Sequence, residues 1–263
     1  MKAFVTGGTG GDRRVPRGAD EGGVVNGPGT RVGAFFDVDE TLLRVNSMAE
    51  FHWYFWRHRR CRTRGLAGVL ERALHRAGAA ARYLRLALSA VTDPSRVRVN
   101  RRYFAGLRGI ELEEYEALSA RWFREFAAAS PFHDEVVARL RDHQARGHVV
   151  ALVSGSHRAL VRHVAAALGV GHVIATEVEV EQGRMSGRLV HPEPLVSAGK
   201  AAAMRAFAEV HDIDLSRSHA YSDHLSDLPM LDAVGRPCAV IGDRRLEQAA
   251  REQRWTVVDV RSR

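Results

Sequence analysis

Ala34-Phe35-Phe36-Asp37-Val38-Asp39-Glu40-Thr41-Leu42-Leu43 is an apolar run of β-type residues that stops at two aspartates, with a hydroxyl two positions after the second. Buried parallel strands read as short apolar runs. Ligands of open α/β sheets bind beyond the carboxyl ends of such strands. Asp37 and Asp39 are therefore expected at the tip of a central strand. A chain that turns into a loop after Asp37 presents one carboxylate to a ligand and holds the other beside it, which suits a nucleophile with a neighbouring acid/base. Two aspartates ahead of a helix also serve as caps, so the spacing needs support from the rest of the chain.

The composition is that of a soluble globule: 263 residues, 45% hydrophobic and 27% charged. No apolar stretch reaches the roughly 18 to 20 uncharged residues that span a bilayer. Met1-Lys2-Ala3-Phe4-Val5-Thr6 lacks the long apolar segment of a secretory signal, and Cys61 and Cys238 make no disulfide framework. A cytoplasmic protein is expected. The net charge of +8 is concentrated between Arg44 and Arg108, where Arg57, Arg59, Arg60, Arg62, Arg64, Arg72, Arg76, Arg82 and Arg85 meet only Glu50, Glu71 and Asp93. Such a field favours an anionic partner. A phosphorylated metabolite, an anionic lipid and nucleic acid all stay open on charge alone.

Residues 1–31 are rich in Gly, without sustained periodicity, and are expected to be a flexible tail. Val5-Thr6-Gly7-Gly8-Thr9-Gly10-Gly11 is similar to the first turn of a dinucleotide-binding strand, but no good helix follows it, as that motif requires. Helices are expected over 47–60, 66–91, 95–107 and 111–129, the first with a dense aromatic face and the second rich in Ala, Leu and Arg. Ser130-Pro131 reads as the start of a helix over 131–146. Beyond it the pattern alternates: strands at 148–153, 172–175, 218–221, 237–241 and 255–259, helices at 157–168, 198–211, 227–233 and 244–252, and a hairpin flap over 177–190. Alternation of this kind predicts an α/β fold with a Rossmann-like parallel sheet. Its core comprises 32–46 and 130–263, and an all-helical cap, 47–129, is inserted over the strand tips.

Three further segments bring polar groups to the same end of that sheet. Val153-Ser154-Gly155-Ser156 sets hydroxyls and backbone N–H groups ahead of a helix, a phosphate cradle. Ala220-Tyr221-Ser222-Asp223-His224-Leu225-Ser226-Asp227 ends a strand with two carboxylates four residues apart. Gly199-Lys200 opens a helix between them. Lys200 is conspicuous because the chain otherwise uses Arg almost throughout; Lys2 is the one other lysine. A compact ammonium supplies a point charge where a guanidinium fork is too wide.

Asp37-Val38-Asp39-Glu40-Thr41, Ser154, Lys200 and Ser222-Asp223 with Asp227 resemble, in order and spacing, the four motifs of the haloacid dehalogenase superfamily of phosphohydrolases. The helical insertion is similar to that superfamily's first type of cap, and Val153-Ser154-Gly155-Ser156 to its phosphoserine-phosphatase-like branch. The resemblance implies a Mg²⁺-dependent phosphomonoesterase acting on a small metabolite. In it Asp37 is the nucleophile and forms an aspartyl-phosphate, while Asp39 is the acid/base. Mg²⁺ is held by Asp37, the Asp39 carbonyl and Asp223. Ser154, Gly155 and Lys200 neutralise the phosphoryl oxygens, and Thr41 and Asp227 support the loop and the metal shell. Asn46, Ser47, Ser156 and Arg158 are candidate substrate contacts.

One departure bears on the substrate. Phosphoserine phosphatases carry a Glu nine residues after the nucleophile, and here that position is Asn46. Phosphoserine is therefore not the expected substrate. A second reading is a lipid-phosphate phosphatase that meets an anionic membrane surface through the aromatic face at 51–56 and the basic helix 66–91. A third, from a different class, is an Arg-rich nucleic-acid-binding module, for which no reading motif is present.

Overall fold

The apolar run ahead of Asp37 forms β1 (Gly33–Phe36), all four residues buried, in a computed structural model that describes residues 30–61, 63–92 and 95–260. Except for Thr30 and Arg31, the segment read as a tail lies outside the described residues, and so does its glycine-rich turn. Four helices follow: α1 (Ser47–His58), α2 (Gly65–Thr92), α3 (Arg96–Ala105) and α4 (Leu112–Ala127). After α5 (Asp134–Ala145) come β2 (Val149–His157), α6 (Arg158–Ala167) and β3 (His172–Thr176), then a hairpin of β4 (Val178–Glu181) and β5 (Arg184–Leu189). The chain ends with α7 (Ala198–Val210), β6 (His219–Ser222), α8 (Leu228–Leu231), β7 (Arg236–Val240), α9 (Arg244–Glu252) and β8 (Thr256–Val258). Six strands make one parallel sheet in the order β3-β2-β1-β6-β7-β8, with β1 central.

The two-residue period of the strands divides the core. Ala34 and Phe36 join Val150, Leu152 and Tyr221 on one face, packed by Val136 and Leu140 of α5 and Leu160 and Val164 of α6. Phe35 joins Val149, Ala151, Val153 and Ala220 on the other, under Met204 of α7, Met230 of α8 and Leu246 of α9. A strand buried on both faces has no polar side, which is why 34–36 reads as an unbroken apolar run.

The aromatic residues of α1 are mostly internal to the helical block. Phe51, Phe55 and Trp56 are buried, and Phe51 packs 4.9 Å from the Tyr115 ring and 5.6 Å from Trp122, both of α4. Across α1 from α4, α2 lays the Arg82 guanidinium 3.9 Å over the Trp56 ring.

Two boundaries differ from the sequence reading. The helix expected from Pro131 begins at Asp134, because 131–133 run extended beside 42–44: Arg44 N–H donates to Pro131 O and His133 N–H to Leu42 O. The hairpin also does more than flap. Its Met185 exchanges backbone hydrogen bonds with Gly109 and Ile110, and Leu112 N–H donates to Gly183 O, so it is tied to the turn between α3 and α4. Those partners lie more than 70 residues upstream, beyond the reach of any local pattern.

At the amino ends of β2 and β6, His143, His148 and His219 gather. His143 Nδ1 lies 2.7 Å from His148 Nδ1, and His143 Nε2 lies 2.8 Å from the Tyr221 hydroxyl. Burial, reinforced by the two neighbouring imidazoles, pushes His143 from the usual 6.5 down to about 4. Burial and then Arg236 push His219 down to about 4 as well. With folded values depressed, the unfolded chain takes up protons first as pH falls. The stability they contribute is complete above about 6.5 and is lost on the way down to about 4. The thermal unfolding midpoint should therefore fall across this interval, and the fall should be smaller in His219→Gln; an identical fall would contradict the assignment.

Candidate active site

Where β1 ends, Asp37 turns into a loop that three hydrogen bonds lock to the end of the neighbouring strand. Asp37 N–H donates to Tyr221 O at 2.9 Å, so the nucleophile candidate is pinned beside the end of β6. The Thr41 hydroxyl donates to Asp223 Oδ1 at 2.8 Å and accepts from Asp223 N–H at 3.0 Å. Thr41 thus clamps the β1 loop to the β6 loop. Between them Glu40 takes a left-handed conformation (φ 60°), which lets the loop reverse at once after Asp39.

Lys200 is 4% exposed and stands between two carboxylates. Its Nζ is 2.7 Å from Asp37 Oδ1 and 2.6 Å from Asp227 Oδ2. Val38 N–H also donates to Asp37 Oδ1, and the Ser222 hydroxyl donates to Asp227 Oδ2. The sequence places Lys200 in the first turn of α7, and Gly199 makes that turn feasible. A Cβ at 199 would lie 2.3 Å from the Pro194 carbonyl oxygen, so the helix start can close over the preceding loop only with glycine there.

Asp39 is held differently. Its Oδ1 accepts from Ser47 N–H, the first amide of α1, at 2.7 Å, and its Oδ2 accepts from the Ser156 hydroxyl. A helix N-terminus and a hydroxyl thereby fix this carboxylate in the lining of the cavity that Asp37 shares. Ser154, fully buried, accepts from Ser156 N–H at 3.0 Å, so its hydroxyl shapes the cradle from beneath while Gly155 and Ser156 line the cavity. Gly155 has no room for a side chain: a Cβ would lie 2.8 Å from Val196.

The electrostatics are unbalanced. Asp37, Asp223 and Asp227 are all buried, and Lys200 is the only cation in contact with them among the described residues. Burial, with help from Asp227 and Asp223 and against the pull of Lys200, raises the Asp37 carboxyl well above its usual range. Burial, opposed by the Thr41 hydrogen bond, raises Asp223 to about 6. Burial also acts to raise Asp227, but Lys200 and Ser222 outweigh it and hold that group low. Lys200 itself is held charged, because Asp227 and Asp37 together overcome its own burial. A site with this surplus of buried carboxylate oxygen fits a hard divalent cation.

Above these groups lies a cavity of about 400 Å³. Its floor is Asp37, Asp39, Gly155, Ser156, Lys200, Asp223 and Asp227, and its far walls come from the helical block: Met48 and His52 of α1, Tyr83 and Leu86 of α2, and Arg96, Asn100 and Tyr103 of α3. Asn46 also faces it, but its side chain caps α1 by accepting from Ala49 N–H at 3.0 Å. Ser47 is buried beside the cavity with its hydroxyl 3.3 Å from that of Ser156. Arg158 does not take part. It is directed to Glu177 and the Val173 carbonyl on the outside of β3, because it opens α6 one residue past the His157 cap and points away from the strand tip. Arg96, Asn100 and His224 are among the lining residues that sequence reading did not single out. Asn100 Nδ2 donates to Gly155 O at 3.2 Å, and the Arg96 guanidinium donates to Ser226 Oγ at 2.9 Å, so α3 is fastened to both core loops. His224 is half-buried in the cavity wall with Nδ1 accepting from Ser226 N–H. Nothing local marks the α3 positions, which become relevant only once the helix is laid over the strand tips.

The chain matches the family model described as haloacid dehalogenase-like hydrolase over residues 34–232. It is 30% identical to the "Inhibition of morphological differentiation protein" of Streptomyces azureus, over 90% of this chain and 81% of that one. It is 32% identical to "Phosphoserine phosphatase SerB1" of Mycobacterium tuberculosis, over 87% of this chain and 70% of that one. Among solved structures, a protein of unknown function from Bordetella pertussis Tohama I superposes with a TM-score of 0.75 at 27% identity, covering 88% of this chain and 99% of that one. The parallel sheet, the carboxylate-lined strand tips and these matches together show that the chain belongs to the haloacid dehalogenase-like hydrolases and to the phosphoserine-phosphatase-like side of that family.

Proposed function

We propose that this chain hydrolyses the phosphomonoester of a small metabolite through an aspartyl-phosphate on Asp37. The observation that carries the reading is the meeting of Asp37, Asp39, Lys200 and Asp223 on the floor of one cavity. Asp37 attacks phosphorus in line and the bond to the ester oxygen breaks; Asp39, seated beside it, gives its proton to the departing alkoxide. Asp39 then takes a proton from the water that attacks the aspartyl-phosphate, inorganic phosphate leaves, and Asp37 is restored. Lys200 and the amide of Gly155 answer the charge on the phosphoryl oxygens, in the interior of the site where such contacts are strong. Asp37, Asp223 and the Asp39 carbonyl are the groups that would hold Mg²⁺, whose chemistry there is to offset negative charge as nucleophile and phosphate approach.

The substrate's remaining part faces the helical block. No carboxylate stands at position 46 to hold an ammonium, and Met48, Tyr83, Leu86, Val99 and Tyr103 make most of that wall apolar, with Arg96 and His52 as its basic groups. This supports a phosphomonoester other than phosphoserine. About 400 Å³ suits a small molecule.

Asp37→Asn should abolish phosphate release from p-nitrophenyl phosphate, on the order of 10⁴-fold or more. Its fold should be intact, since burial already favours the uncharged group there; undiminished turnover would remove Asp37 from the nucleophile's place. Chelation with EDTA should stop turnover and Mg²⁺ should restore it, whereas activity unaffected by chelation would exclude the metal. Lys200→Met leaves Asp37 and Asp227 without their shared cation, and urea unfolding should show a loss of about 3 kcal/mol or more. A stability equal to that of the parent would mean that Lys200 does not balance them.

A further inference from the structure

Helix α2 is apolar on two opposite sides, and only one of them has a partner. The inner side carries Gly68, Ala79 and Leu86 against the rest of the block. The outer side carries Leu66, Val69, Leu70, Leu74 and Leu84, whose exposures are 89%, 55%, 62%, 63% and 59%. Ala73, Ala77 and Ala81, all exposed, continue the stripe between them at helical spacing. Most of the large hydrophobic side chains exposed among the described residues lie on this one helix. Scattered exposed leucines need no explanation, but a contiguous row of them marks a binding surface.

The charges beside the row indicate what covers it. Arg76 and Arg85 are exposed on its borders, and neither has an acidic partner among the described residues. The single acid of α2, Glu71, accepts from the Thr63 amide and hydroxyl and lies 3.9 Å from His75 Nε2, so it is engaged at the start of the helix. Arg57, Arg60 and Arg64, also exposed, extend the basic zone ahead of the helix. A second copy of this chain docked through the same row would bring its own arginines against these, with no carboxylate on the face to answer them. An anionic lipid surface answers both features together: the leucines enter the acyl boundary and the arginines meet the headgroups.

We propose that the outer face of α2 is a docking surface for an anionic lipid bilayer. The same helix walls the catalytic cavity through Tyr83 and Leu86, so docking holds the cavity next to the bilayer. The proposal is independent of the reaction assigned to Asp37, and its test reads binding alone.

The full chain is sedimented with vesicles of phosphatidylcholine, with and without about one-quarter phosphatidylserine, at low and high salt. Binding to the phosphatidylserine vesicles should exceed binding to the neutral ones by more than about tenfold at low salt and should weaken as salt screens the arginines. Leu70→Glu/Leu84→Glu, at two exposed positions outside the cavity, should lose more than about tenfold of that binding with an unchanged circular dichroism spectrum. Arg76→Ala/Arg85→Ala should lose the preference for phosphatidylserine. Absence of sedimentation at low salt overturns the proposal, as does a leucine variant that binds like the parent. A dimer that the leucine variant dissolves, without vesicle binding by the parent, assigns the face to a second copy and equally overturns it.

Discussion

Lys200 is bound on one side to Asp37 and on the other to Asp227, and much of the site depends on that shared cation. Three buried carboxylates converge because the loops after β1 and β6 leave the sheet at the same end. Without a positive charge among them their repulsion and desolvation would oppose folding. One ammonium offsets part of that opposition and leaves a surplus of negative charge. That surplus of buried carboxylate oxygen is the feature on which the proposed divalent-cation site rests. The small residues at 155 and 199 serve the same end, since each lets backbone approach where a side chain would hold it off.

The cavity has two kinds of wall, and they answer to different demands. The floor consists of charged and hydroxyl groups held by hydrogen bonds at strand ends, such as the Asp37 amide on Tyr221 and the Thr41 hydroxyl on Asp223. The roof comes from helices that sit on a core of aromatic residues, and it touches the floor through a few polar contacts, Asn100 to Gly155 and Arg96 to Ser226. In the proposed reaction the strand tips carry the chemistry, and selection among substrates belongs to the block, whose contribution to the cavity is largely apolar. The arginine density of this region belongs to the block's surface as well, where α2 sets basic side chains beside an uncovered apolar row.

Much of the fold was legible along the chain, because strand and helix periods are local. The run at 34–36, the alternation from 134 onward and the glycines that end its helices need only near neighbours to be read. Departures occurred where distant segments bond to one another. Pro131 precedes extended chain instead of a helix since 131–133 pair with 42–44, and the 177–190 hairpin is fastened to 109–112.

The same division holds for the site. Asp37, Asp39, Asp223, Asp227 and Lys200 announce themselves in sequence, because carboxylates at strand tips and a lone lysine in an arginine-using chain are anomalies of local composition. Arg96, Asn100, Tyr83 and Leu86 carry no such mark, and Arg158 carries one that misleads. Which face of a helix turns toward a cavity is set by how that helix packs on others. The sequence by itself determined the sheet, its order of elements and the carboxylates at its tips. Only tertiary packing decided what roofs them, since a side chain's surroundings are made of residues far away along the chain.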